Sequence, residues 1–238
     1  MNLLPESELM SMSLSNYKDF LNQHPAVNGT ADANMVKNVG AKISAAVTRY
    51  MNQNGYAKRV AGYKWEFNLV NSQEVNAWCM PGGKVVVYSG LLPVTQDESS
   101  LAIVMGHEIA HAVARHGNER MSQMMVSTLG GMALDVALSQ KSAETRNIFM
   151  TAYGASSVLG TLAYSRTHET EADKLGLIFA AMAGYDPQKS ITFWERMASK
   201  GGAKPPELLS THPSDQTRIK NLREFMPTAL KYYHPGTN

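Results

Sequence analysis

The chain has 238 residues, 44% hydrophobic and 18% charged, and its 22 basic and 20 acidic residues give a formal net charge of +2. This length and composition describe an ordinary folded protein able to bury a sizeable core, and they exclude a disordered or fibrous chain. Because the two signs of charge are mixed along the sequence, no nucleic-acid partner is expected.

The one cysteine, Cys79, lies in an apolar stretch, can form no intrachain disulfide, and is expected to pack in the core. The opening MNLLPESELMSMS lacks a basic segment followed by an apolar one, so no secretory signal is expected in it. No uninterrupted apolar run reaches the roughly 20 residues that span a bilayer. The nearest, MMVSTLGGMALDVAL at 124–138, contains Asp135 and two glycines; it reads as a buried helix, with association at a membrane surface as its other use.

In chain order, residues 6–22 and 32–54 read as helices; in the second, Met35, Val39, Ile43, Ala46, Val47, Tyr50 and Met51 recur at helical spacing. WEFNLVN (65–71) and KVVVYSG (84–90) are rich in β-branched and aromatic residues and read as short strands, with MPGG (80–83) as the turn before the second. TQDE offers a capping box, Thr95 as N-cap and Glu98 three positions later, for a helix expected to run through three histidines to Gly117. Arg115 and His116 would occupy its last turn, where positive charge is favoured. Further helices are expected at about 119–138, 143–163 and 167–183, and Asp186-Pro187 signals the start of another reaching about Lys200. GGAKPPE then breaks the chain before a final helix at about 214–225. The expectation is one α+β domain over 1–238, helix-rich with a small sheet: N-terminal helices to residue 60, a core over 61–225 and a tail over 226–238.

The chemistry concentrates in GHEIAHAVARHG, which begins at Gly106. On a helix each residue advances about 100°, so His107 and His111 lie only about 40° apart and share a face, with Glu108 flanking it. Two imidazoles can thus hold one metal while a carboxylate stands beside the water at the open position, placed to take its proton. His116 is nine positions past His107, about half a turn off, and on an unbroken helix points to the opposite side. The third ligand must come from elsewhere. YSRTHETEADKLG (164–176) offers Glu169 and Asp173 four apart on one face, with Glu171 about 200° from Glu169. This nominates Glu169 as ligand and Asp173 as the acceptor for the other N–H of a ligating imidazole.

H-E-x-x-H at 107–111, R-x-x-E-x-E-A-D at 166–173, N-A-x-x-x-P-G-G at 76–83 leading into V-x-x-G-L-L, and S-T-H-P-x-x-x-x-R-I at 210–219 together resemble the HtpX and CAAX-prenyl-protease type of zinc metallopeptidase, most closely its soluble bacterial envelope branch. The resemblance implies a zincin-like, gluzincin-type endopeptidase with one zinc on His107, His111 and Glu169, Glu108 as general base and Asp173 behind a ligand. It implies that the 76–90 region forms an edge strand along which an unfolded polypeptide substrate is laid, with Asn76, Ala77, Pro81, Gly82 and Gly83 lining the cleft. It brings His212 to the active site, either to stabilise the oxyanion or to sit over the metal as a latency switch, and lets Arg218 polarise the same carbonyl. It also implies a bacterial envelope location. A substrate-binding adaptor with little turnover is the rival reading, although such a binder has no need of Glu108.

Overall fold

The computed structural model describes residues 4–129, 143–153, 164–200, 206–212 and 216–235. Strand β4 (Lys84–Tyr88) is buried along its whole length because it has neighbours on both edges and layers on both faces. It pairs in parallel with β2 (Glu66–Val70) and antiparallel with β3 (Ala77–Met80), while the two-residue β1 (Ala26–Val27) pairs with β2, giving the order β1-β2-β4-β3. The alternation of side chains assigns the faces. Ala77, Cys79, Val85, Val87 and Leu69 enter the main core; Trp78, Met80, Val86, Tyr88 and Val70 enter a smaller one on the other side.

The β3–β4 hairpin closes as the MPGG signal predicts. Gly83 N–H donates to Met80 O at 3.2 Å, with Pro81 at the second turn position and Gly82 at φ 85°, the arrangement of a type II turn. The expected strands are present, with two differences. β3 is a separate strand that forms the sheet edge, so the edge is 77–80 and not the whole of 76–90. The strand 84–88 is internal.

Helix α1 (Glu6–Gln23) packs Leu9, Tyr17 and Phe20 into the smaller core, and α2 (Ala31–Gln53), capped by Thr30 Oγ1 accepting from Ala33 N, packs into the larger. The short α3 (Ala57–Val60) leads to the sheet, and α4 (Leu92–Thr95) follows it. Thr95 ends α4 and is not the cap of the next helix: its hydroxyl donates back to Leu92 O, and Gln96 turns left-handed at φ 68°. The cap of α5 (Glu98–Ala114) is Asp97, whose Oδ1 accepts from Ser100 N at 2.7 Å. From Ser100 to Val113 every residue of α5 is buried, so this is a central helix enclosed on all sides.

After α5 come α6 (His116–Leu129), α7 (Ala143–Ala152), α8 (Arg166–Met182), α9 (Lys189–Ser199), α10 (Glu207–Thr211) and α11 (Gln216–Leu230). Asp186 caps a turn by accepting from Gln188 N, and α9 begins one turn later, at Lys189. The expectations for residues 130–138, 154–163 and 201–205 lie outside the described residues. Among the described residues, no helix is long and apolar enough to cross a membrane.

α5 and α8 cross at close range, and two glycines permit it. A Cβ on Gly176 would lie 2.8 Å from His107 N, and one on Gly106 would lie 2.8 Å from Gly176 O. The helix backbones themselves are in contact there, which leaves no space for a methyl group. Gly→Ala in an exposed helix normally stabilises by about 1 kcal/mol. Here the sign reverses: Gly176→Ala is expected to destabilise by about 1–3 kcal/mol through overpacking. Thermal unfolding would show this as a lower midpoint, and an unchanged or raised midpoint would refute the contact.

Candidate metal centre

Burial of α5 on all sides places His107, Glu108 and His111 deep in the molecule, each under 5% exposed. The crossing at Gly106 and Gly176 sets the first two turns of α8 against them, so that Glu169 and Asp173 face α5. Ser165 starts α8, its hydroxyl accepting from His168 N. His212 ends α10, which is tied to the start of β3 by Leu208 N–H donating to Val75 O.

Four side chains from these three elements converge. Each of His107, His111, Glu169 and His212 offers one ligand atom, and all four atoms lie within 4.8 Å of one another. His107 Nε2 is 3.1 Å from His111 Nε2 and 3.1 Å from His212 Nδ1. Glu169 Oε1 lies 2.8 Å from His212 Nδ1 and 3.2 Å from His111 Nε2, and Glu169 Oε2 lies 3.5 Å from His107 Nε2. Tetrahedral ligands held at 2.0–2.1 Å from a metal are about 3.3 Å apart, so these spacings fit one ion. The donor chemistry fits as well, since three imidazole lone pairs and a carboxylate aimed at one point repel unless a cation lies among them.

Glu108 stands beside the cluster without joining it. Among the described residues its buried Oε1 has no hydrogen-bond partner, and it lies 3.4 Å from His212 Nε2. Burial pushes its carboxyl pKa up, against the opposing pull of His212 and His107. Glu169 is held well below the usual carboxylate range: burial acts to raise it, but His212, His107 and Arg218 outweigh burial. Burial drives His111 well below the ordinary imidazole range, which keeps its lone pair available to a metal.

Behind the ligands, His107 Nδ1 meets Asp173 Oδ1 at 2.9 Å, the hydrogen bond that fixes an imidazole with Nε2 free for a metal. Arg218, buried, grips Asp173 with two N–H donors at 2.6 and 2.9 Å, reaches Glu169 Oε2 at 3.1 Å and stacks 3.4 Å from the Trp194 ring centre. Its donors are thus directed at Asp173 behind the cluster, at the ligand Glu169 and at His212 O, 3.3 Å away. Tyr164 stacks on His111 with ring centres 4.0 Å apart and donates its N–H to Thr211 O, joining the approach to α8 with α10.

The expectation that His116 points away is overturned. α5 ends at Ala114, and Arg115 takes a left-handed conformation at φ 67°, so His116 opens α6 and turns back. His116 Nδ1 lies 3.0 Å from His111 Nδ1, and its Nε2 lies 3.2 Å from Glu171 Oε2. His116 is outside the ligand group but touches one of its members. Gly117 is not a helix end either: it lies inside α6, where a Cβ would collide with the Tyr153 ring. His116, Glu171 and Tyr164 are the site residues that sequence reasoning missed; the left-handed Arg115 is a non-glycine and leaves no local signal.

The expected cleft residues separate along β3. Asn76 and Ala77 are buried at its start, near the attachment of α10, whereas Pro81, Gly82 and Gly83 are buried in the turn at its far end. There Gly82 lies against Met10 of α1, and Gly83 lies under the Trp65 ring. A pocket of about 210 Å³ opens on the Glu169 side of the cluster, lined by Tyr164, Arg166, Thr170, Thr217, Arg218 and Asn221 among others.

The chain has relatives among known proteins. Residues 38–226 match the model of peptidase family M48. The chain is 36% identical to the mitochondrial metalloendopeptidase OMA1 of Saccharomyces cerevisiae over 180 residues, covering 72% of this chain and 50% of that protein. Against the human metalloendopeptidase OMA1, mitochondrial, identity is 33% over 194 residues, covering 72% of this chain and 34% of that protein. Against the beta-barrel assembly-enhancing protease of Escherichia coli it is 33% over 164 residues, covering 67% and 34%. The chain therefore spans half or less of the length of these relatives. They also correct the expectation of a bacterial envelope location, because relatives at equal or higher identity are mitochondrial proteins of eukaryotes. The metal-ligand geometry, the four motifs and the family match over residues 38–226 agree: this chain belongs to peptidase family M48, whose members are metal-dependent peptidases.

Proposed function

We propose that the chain is the catalytic part of a zinc-dependent endopeptidase acting on unfolded polypeptide, held here in a latent arrangement. The observation that supports this best is the convergence of His107, His111 and Glu169 beside the buried Oε1 of Glu108, which accepts no hydrogen bond among the described residues. Three imidazole nitrogens and one carboxylate at tetrahedral spacing suit zinc. When bound, zinc would supply the Lewis acidity that polarises a peptide carbonyl and makes water a better nucleophile.

The protein residues then divide the remaining work. Glu108 takes the proton of the attacking water at Oε1 and passes it to the leaving amine. Asp173 holds His107 in the tautomer that leaves Nε2 free, and Arg218 fixes Asp173 and Glu169 in turn. An extended substrate is read as lying along β3, which ends the sheet and begins next to the element carrying His212. The pocket beside Glu169 provides space for one substrate side chain.

His212 favours the latent reading over constant activity. Its Nδ1 sits among the ligand atoms, where a catalytic site keeps its open position, and its Nε2 faces Glu108. Water and substrate would have to displace it. The attachment of α10 to Val75, at the start of β3, offers a route by which substrate could do so.

Two outcomes test this. Glu108→Gln is expected to keep one zinc per chain while cleavage of an unfolded substrate such as casein falls by about 10²–10⁴-fold; undiminished cleavage would remove Glu108 from the mechanism. His212→Ala is expected to raise casein cleavage and weaken zinc retention, because one variant both opens the fourth position and deletes a donor. If cleavage instead collapses with zinc fully retained, His212 stabilises the oxyanion and the latch is wrong.

A further inference from the structure

We propose that His116 and Glu171 form a carboxylate–imidazole relay that orients His111 for the metal, making both of them positioning residues of the metal centre. The inference rests on the metal-holding part of the proposed function and requires nothing of its peptidase step.

The relay depends on a break in the helix. On a continuous helix His116 would lie about half a turn from His107, on the far side. The left-handed backbone of Arg115 ends α5 at Ala114, two residues before His116, in a conformation that non-glycine residues rarely adopt. Its effect is to swing His116 beneath the last turn of α5, with its ring edge-on to that of His111 at 74° and 4.9 Å between centres. Arg115 itself is tied down by Glu6, 3.3 Å from its Nε.

The proton arrangement along the chain is then determined. His111 Nε2 faces the metal cluster and must present a lone pair, so its proton is on Nδ1. Among the described residues, the acceptor for that N–H is His116 Nδ1, 3.0 Å away. His116 therefore carries its proton on Nε2, which faces Glu171 Oε2 at 3.2 Å, and a carboxylate accepts. Every nitrogen in the line is matched. If the His116 tautomer were reversed, two N–H groups would face each other; a doubly protonated His116 would force the His111 proton onto the metal side.

The two α5 ligands are thus supported in parallel. His107 leans directly on Asp173, and His111 reaches Glu171 through one intervening ring. Glu169, Glu171 and Asp173 on α8 each have a separate task, which explains why Glu171, roughly opposite Glu169 around the helix, is part of the site. Stacking on His168, with ring centres 4.3 Å apart and planes 18° from parallel, keeps the His116 ring from rotating; His168 in turn bonds Glu119 at 2.8 Å.

The test compares zinc affinity, measured on the full chain by competition with a chromophoric chelator, alongside melting of the metal-free protein to report folding. His116→Phe fills the space without hydrogen bonding, whereas His116→Asn restores an acceptor toward His111 but is smaller. A relay predicts roughly 10–100-fold weaker zinc binding for His116→Phe, with partial recovery in His116→Asn. A packing role predicts the reverse order. The Glu171 side chain is 53% exposed, so Glu171→Gln should fold normally and yet weaken zinc binding by about threefold or more. Zinc affinity within about twofold of the parent for Glu171→Gln, or His116→Asn no better than His116→Phe, would overturn the relay. A parent chain that binds zinc but cuts no peptide would instead count against the peptidase reading alone.

Discussion

Contact between α5 and α8 at Gly106 and Gly176 is the constraint on which the site depends. Every ligand proposed for the metal lies on one of these helices or on an element that reaches their junction. Helix axes normally stay 8–10 Å apart because side chains separate them. With a Cβ missing on both sides, the backbone of α8 rests against that of α5 at His107, and short side chains such as Glu169 and Asp173 can reach the imidazoles. Larger residues at these two positions would separate donors that have to meet within a few ångströms.

This closeness places several ionisable groups in a region with little access to water, where an unpaired charge is costly. The structure compensates with pairs. Arg218 answers Asp173 and Glu169, and the Trp194 ring covers its guanidinium face. Each imidazole is engaged through both nitrogens: His107 by the cluster and Asp173, His111 by the cluster and His116, and His212 by the cluster and Glu108. Among the described residues, Glu108 Oε1 and Glu169 Oε2 are buried oxygens at the cluster without a hydrogen bond, and Glu108 Oε1 has only the 3.4 Å approach of His212 Nε2.

Parts of this were legible in the sequence because they depend on local periodicity. Four-residue spacing puts His107 with His111, and Glu169 with Asp173, on common helix faces whatever surrounds them. The same argument failed at His116, since it assumed that α5 continues through Arg115. It failed in another way at Thr95, where a valid capping pattern was displaced by Asp97 because α4 occupies Leu92–Thr95. β3 was legible only as the stretch before a turn: its four residues are buried and non-alternating in character, too short for a period to show.

By itself, then, the sequence determined the chemical types at the centre, their pairing along two helices and the family motifs, because these follow from residue identity and the fixed rotation of a helix. Tertiary structure alone decided which groups from different elements meet. It brought His212 to the fourth position through α10 and turned His116 back to His111 through one left-handed residue. It also directed Arg218 at Asp173 behind the metal site and at the ligand Glu169. Such contacts join residues far apart in the chain, as for His107 with His212, or residues across a break in a helix, as for His111 with His116, and no local period encodes them. They are settled by how closely two backbones approach and by where the chain bends.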